Sequence, residues 1–196
     1  MTSVRTRLRM GLIGTGVIGT AMLAAAAPVG AQPRTFTATL NGAQEVPPSG
    51  SPATGTGSLV FDAAAATLRV SLTFSGLTSP TGGPVPPAHL HAAPPGVNGP
   101  VIVPFAFVPV GITSGSFLDQ LINLTPDQVA SLNTNLVAGA GGMTNMYFNV
   151  HTQQFPGGEI RGQVMASVVP EPGTWALLGA GLIGIAGVAR GRRREG

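Results

Sequence analysis

The chain has 196 residues, is rich in Gly (29) and Pro (18), and carries charge on only 9% of its positions, a turn-rich β composition too apolar for a disordered chain and unsuited to a helical one. It has no Cys, which excludes disulfides, thiolate metal sites and cysteine nucleophiles. The basic residues are all Arg and cluster at the two ends; between residues 32 and 169, Arg34, Arg69 and Arg161 stand against Glu45, Asp62, Asp119, Asp127 and Glu159, a net −2 that excludes a nucleic-acid-binding surface.

Residues 1–31 read as a signal peptide. Arg5, Arg7 and Arg9 precede an apolar stretch from Met10 to Ala27, and Val29 and Ala31 place small residues at −3 and −1 of a signal-peptidase site after Ala31. Phe36, Ala38 and Leu40 alternate with Thr and predict a first strand over 35–40, followed by a loop over 41–56. A short strand is expected from Gly57 to Phe61, and a turn from Asp62 to Ala66, since four alanines do not sustain a helix alone. Leu68, Val70, Leu72 and Phe74 then alternate with Arg69, Ser71, Thr73 and Ser75, the clearest strand of the chain. After a loop over 76–87, Ala88, Leu90 and Ala92 share one strand face and His89 and His91 the other. A Pro/Gly loop over 93–100, an apolar strand from Val101 to Phe107 and a further strand over 111–118 follow. Thr125-Pro126-Asp127-Gln128 has the form of a capped helix start, with Val129, Leu132 and Leu136 as the buried stripe and Gly139 as the stop.

Residues 146–164 predict a half-buried hairpin. Met146, Phe148 and Val150 face the core, as do Ile160 and Val164, with Pro156-Gly157-Gly158 as a tight turn. The opposite face carries Asn149, His151, Glu159 and Arg161. Glu159 and Arg161, two apart on that face, are expected to form an ion pair or to pair with other strands. No second carboxylate is evident beside Glu159 for acid–base chemistry.

The C-terminal part, residues 169–196, reads as a sorting segment: Val169-Pro170-Glu171-Pro172, an apolar transmembrane helix over 174–189 with Trp175 at its edge, and an Arg-rich tail over 190–196. These three parts in this order resemble a PEP-CTERM sorting signal. The resemblance implies recognition by an exosortase near Pro170, Glu171 and Pro172, and a Gram-negative, exopolysaccharide-secreting source. Residues 32–168 resemble a CHRD domain, on Phe36 to Pro48, Ala88-His89-Leu90-His91, Asn98-Gly99-Pro100-Val101, Leu124-Thr125-Pro126 and the hairpin. That family is named after chordin, and its bacterial members bring no established chemistry with the name.

His89, His91 and His151 are the only histidines. His89 and His91 project from one strand face, roughly 7 Å apart at the backbone. Three imidazoles bind copper or zinc and leave a fourth position open. The set is similar to the copper site of copper/zinc superoxide dismutase, with departures: there is no histidine left for a bridge and a separate zinc site, and no disulfide. The alternative is that these rings hydrogen-bond loop backbones and fix the shape of the sheet.

The sequence therefore predicts an all-β, Greek-key β-sandwich, superoxide-dismutase-like or immunoglobulin-like, with one short helix. The expected protein is exported, passes through the inner membrane and periplasm, and reaches the cell surface or extracellular matrix. Its expected partners are signal peptidase, exosortase, the membrane through residues 174–189, and exopolysaccharide or surface proteins. A non-enzymatic binding or structural role is the first functional reading; an extracytoplasmic copper or zinc protein, redox-active through the three histidines, is the second. No Ser-nucleophile motif, phosphate loop or dinucleotide fingerprint is present.

Overall fold

A computed structural model describes residues 32–84, 86–167 and 179–182. The expected signal peptide, its cleavage site at Ala31, Pro170-Glu171-Pro172 and nearly all of the apolar tail lie outside these residues; residues 179–182 are helical. Among the described residues no helix is long and apolar enough to cross a membrane.

Eight strands form the body: β1 Arg34–Asn41, β2 Thr54–Asp62, β3 Thr67–Ser75, β4 Ala88–Ala92, β5 Val101–Pro104, β6 Gly115–Asn123, β7 Met143–Val150 and β8 Ile160–Ala166. One helix, α1, spans Pro126–Asn135. The strands make one antiparallel ladder in the order β5-β4-β7-β8-β1-β2-β3-β6. The ladder curls so that its two halves face each other. Phe148 of β7 packs on Gly57 of β2, where an added Cβ would meet the ring at 2.7 Å. Phe107, just past β5, lies 5.7 Å from Phe117 of β6, ring centre to ring centre, although those strands are the two ends of the ladder. The pairings β3–β6 and β4–β7 each lie within one half and join strands distant in sequence, so the connections β3 to β4, β5 to β6 and β6 to β7 cross between the halves, as a Greek key requires. The all-β prediction with one short helix holds.

The core is filled from the alternating faces the sequence marked. Phe36, Leu40, Leu59, Phe61, Leu68, Leu72, Phe74, Leu90, Phe148, Ile160 and Val164 are all buried in it. Between β2 and β3, Asp62 Oδ1 accepts from the amides of Ala64 and Ala65, which makes the alanine run a turn. The helix start has the expected capping box: Thr125 Oγ1 accepts from Gln128 N, and Gln128 Oε1 from Thr125 N. Arg34 of β1 donates to Asn133 Oδ1 and to Leu136 O, tying the helix end to the sheet.

Several boundaries differ from expectation. β2 begins at Thr54, not Gly57, because Gly55 and Gly57 are strand residues, Gly55 kept small by the Thr73 carbonyl of the neighbouring strand and Gly57 by the Phe148 ring across the core. The strand expected over Val101 to Phe107 stops at Pro104, where the chain turns and Val108 N donates to Phe105 O. β6 runs over Gly115–Asn123, later than the expected 111–118, with a bulge opposite Ser71 where Asp119 takes φ 51°. The helix ends at Asn135 and is capped at Leu136, before Gly139. Most consequentially, the tight Pro-Gly-Gly turn is a nine-residue connection, 151–159, that folds back over the sheet.

Candidate metal centre

The outer face of the β4-β7-β8 half, opposite the core, carries the polar residues. Adjacent strands set them in rows: His89 is level with Asn149 and Asn149 with Arg161; His91 is level with Tyr147 and Tyr147 with Gln163. The sequence predicts a solvated face. The structure corrects this: His89 is 4% exposed, His91 8%, His151 4%, Glu159 0% and Arg161 1%. The loops 93–100 and 151–159 fold over the face and supply the backbone groups these side chains need. A polar residue is affordable in such a place only when its hydrogen bonds are met.

The expected Glu159–Arg161 ion pair is absent. Arg161 lays its guanidinium 3.5 Å over the Tyr147 ring. It donates to the carbonyls of Val97 (2.9 Å) and Pro94 (3.2 Å), and to Asn98 Oδ1 and Gln163 Oε1. Burial lowers its pKa against the stabilising influence of Tyr147 and Glu45. Glu159 turns the other way. Its Oε1 accepts from Ser51 Oγ, Thr78 N and Thr78 Oγ1, and its Oε2 from Thr152 Oγ1. Burial pushes this carboxyl up, but the four donors together hold it below the usual range, so it is an anion dissolved in hydrogen bonds.

The three histidines, expected as two on one strand and one on the polar face of another, do meet, with His151 placed just past the end of β7. Their ring centroids lie 5.0 to 5.9 Å apart, and one nitrogen from each lies within 4.8 Å of the other two. His91 Nδ1 bonds the carbonyl of Gly99 at 2.9 Å, and His151 Nδ1 that of Pro156 at 3.0 Å. A carbonyl only accepts, so both Nδ1 atoms carry the proton and both Nε2 atoms keep a free lone pair. Those two Nε2 atoms and His89 Nδ1 are buried without a partner. Burial pushes His89 down to about 4, aided by His91; burial likewise pushes His151 down to about 4, with His89 and His91 adding to the fall against the Pro156 bond. His91 is lowered by burial, opposed by its Gly99 bond and assisted by Arg161. His91 and His151 thus each keep a buried Nε2 lone pair in this cluster, and His89 adds a third buried ring nitrogen without a partner.

Nitrogens 4.8 Å apart at most would place the centre of their triangle about 2.8 Å from each, so an inward shift of about 0.7 Å reaches the ~2.0–2.1 Å metal–imidazole bond. Carbonyls holding the remote ring nitrogens are the outer support such ligands ordinarily have.

Sequence reasoning missed Glu45, which the loop after β1 brings to this face. It is 5% exposed, its Oε1 has no partner, and it lies beside Asn149 Oδ1, also unpartnered, at the Gly158 α-carbon. Burial raises it to about 7 against the pull of Arg161. A second carboxylate is therefore present on this face. The signal lay in the shared blocks: Gln44 and Glu45 come from the first, the two close histidines from the second, and Asn98 and Gly99 from the third. Gln44 Oε1 accepts from Gln163 N, and Asn98 Nδ2 donates to Val46 O. Sequence stretches far apart along the chain thus converge on one polar cluster.

The model of the CHRD domain matches residues 36–164, and that of the PEP-CTERM protein-sorting motif matches residues 168–194. No curated protein and no solved structure matches the chain. The sorting motif implies export and processing at the membrane by an exosortase. With its matched region reaching into all eight strands of the body, the chain belongs to the CHRD domain family and carries a PEP-CTERM sorting signal behind that domain.

Proposed function

We propose that this protein is a cell-surface or extracellular metal-binding protein, in which His89, His91 and His151 together hold one copper or zinc ion. One observation carries the reading: the three buried ring nitrogens without partners are one from each of the three histidines that come within ligand reach of one another. Rings placed only to brace loops would need one bonded nitrogen each, and would not leave a buried ring nitrogen unpaired on all three. The role is binding, not catalysis. Arg161 and Glu159, the charged groups nearest the cluster in sequence and register, are committed to hydrogen bonds within the fold. The sorting signal supports delivery to the surface, with attachment to exopolysaccharide or to other surface proteins as the setting in which the ion is held.

The test is metal titration of the full chain, purified in detergent and stripped with chelator. One ion of copper or zinc per chain is expected, with Tm raised by roughly 5–10 °C when free metal reaches about a hundred times Kd. His151→Gln is expected to abolish both effects. Sub-stoichiometric metal with unchanged melting refutes the reading.

A further inference from the structure

We infer that the ion this centre selects is cuprous copper, in preference to a divalent cation; the inference rests on the metal-binding reading above and names its ligand. The first ground is the charge of the donor set. His91 and His151 each fix their proton on Nδ1 against a carbonyl, so both offer a neutral nitrogen. No carboxylate joins them. Both oxygens of Glu159 are occupied by Ser51, Thr78 and Thr152, and Glu45 is lodged against Gly158 and Asn149.

The second ground is the sign of the nearest fixed charge. The Tyr147 ring stacks on His91 at 4.9 Å and 14°, and the Arg161 guanidinium lies over that same ring at 3.5 Å. A positive group one aromatic layer away from a ligand opposes any cation, and opposes a dication twice as strongly. Burial multiplies this. With the three rings only 4–8% exposed, the ion is stripped of water, and the cost of stripping grows with the square of charge, about four times greater for a dication.

The third ground is coordination number. Cuprous copper is a closed-shell monocation content with three ligands. Zinc with three protein nitrogens takes a further ligand, generally water or an anion, and cupric copper prefers four in a near-plane. Imidazole is of intermediate softness and accepts copper in either state as well as zinc, so softness does not decide. Charge and ligand count do, and both point the same way.

The test is an anaerobic competition on the full chain. Apoprotein is loaded with one equivalent of Cu(I) from a coloured bis-chelate complex, bicinchoninate, and then challenged with zinc. One copper per chain is expected to stay bound against about a tenfold molar excess of zinc, with His91→Gln unable to bleach the chelate. Displacement of Cu(I) by equimolar zinc overturns the inference and leaves the metal centre standing. Failure of both ions to bind stoichiometrically overturns the metal centre as well. As a second readout, the loaded chain is expected to stay silent by electron paramagnetic resonance in air; a stoichiometric cupric signal overturns the selectivity for the reduced ion.

Discussion

His91 and Tyr147 are held by the same residue. Their rings stack with centroids 4.9 Å apart, and while His91 Nδ1 donates to the carbonyl of Gly99, the amide of Gly99 donates to Tyr147 Oη at 3.1 Å. An added Cβ on Gly99 would collide with the carbonyl oxygen of Ala92, a rigid backbone atom. Gly99→Ala must therefore move the 93–100 loop and loosen both bonds. A loss of about 2–3 kcal/mol by urea unfolding is expected, together with a 10–100-fold loss of metal affinity. Unchanged metal affinity in this variant would show that the Gly99 carbonyl does not orient His91.

The close approach of Phe148 to Gly57 gives a coupled pair. Phe148→Ala opens a cavity in the middle of the core and is expected to cost about 3–5 kcal/mol. Gly57→Ala overfills the same spot and is expected to cost about 1–3 kcal/mol. Combined, the two changes should cost less than their sum, because the new methyl enters space the ring has vacated. Strict additivity in denaturant melts would argue that the two halves of the sheet do not meet there.

Glu159→Gln keeps the shape but puts an amide among donors. At least one of the Ser51, Thr78 and Thr152 donors then faces an N–H, so a loss of about 2–3 kcal/mol is expected. The carboxylate is held below its ordinary pKa of 4.5, so the stability this group contributes is full above that value and is lost progressively as pH falls from there through its lowered folded pKa. The Gln variant should lack that acid limb in a pH-resolved melt.

Two opposing pH effects act on the metal-free protein. The histidines are depressed from 6.5, His89 and His151 to about 4, so the unfolded chain takes up protons first; stability is full above about 6.5 and falls as pH drops toward 4. Glu45 is raised from 4.5 to about 7, so its contribution runs the other way, falling as pH rises from 4.5 to 7. Glu45→Gln should therefore be near neutral at pH 4.5 and stabilising at pH 8. A variant destabilised at pH 8 but not at pH 4.5 would place a needed carboxylate charge at Glu45.

Most of the body was legible because its pattern is local. The alternation of Leu68, Val70, Leu72 and Phe74, the capping box at Thr125 and Gln128, and the inward face of the hairpin each follow from neighbours in sequence. The histidine cluster was legible in part: His89 and His91 share a strand, whereas the approach of His151 depends on the β4–β7 register. What was not legible depends on loops. Nothing local in residues 93–100 says that they roof a sheet, and so Arg161, alternating as a solvated residue should, is buried. Glu45 is read as part of a loop because its partners, Asn149 and Gly158, lie more than a hundred residues away.

The two outer strands of the ladder have a consequence for an exported domain. An unpaired strand is an invitation for another copy to add itself. β5 is short and closes on Pro104, which has no amide to offer, and β6 is bent by the bulge at Asp119, which also places a charge on the rim. Both margins are thus blunted against stacking into fibrils, in a domain without a single cross-link to protect it.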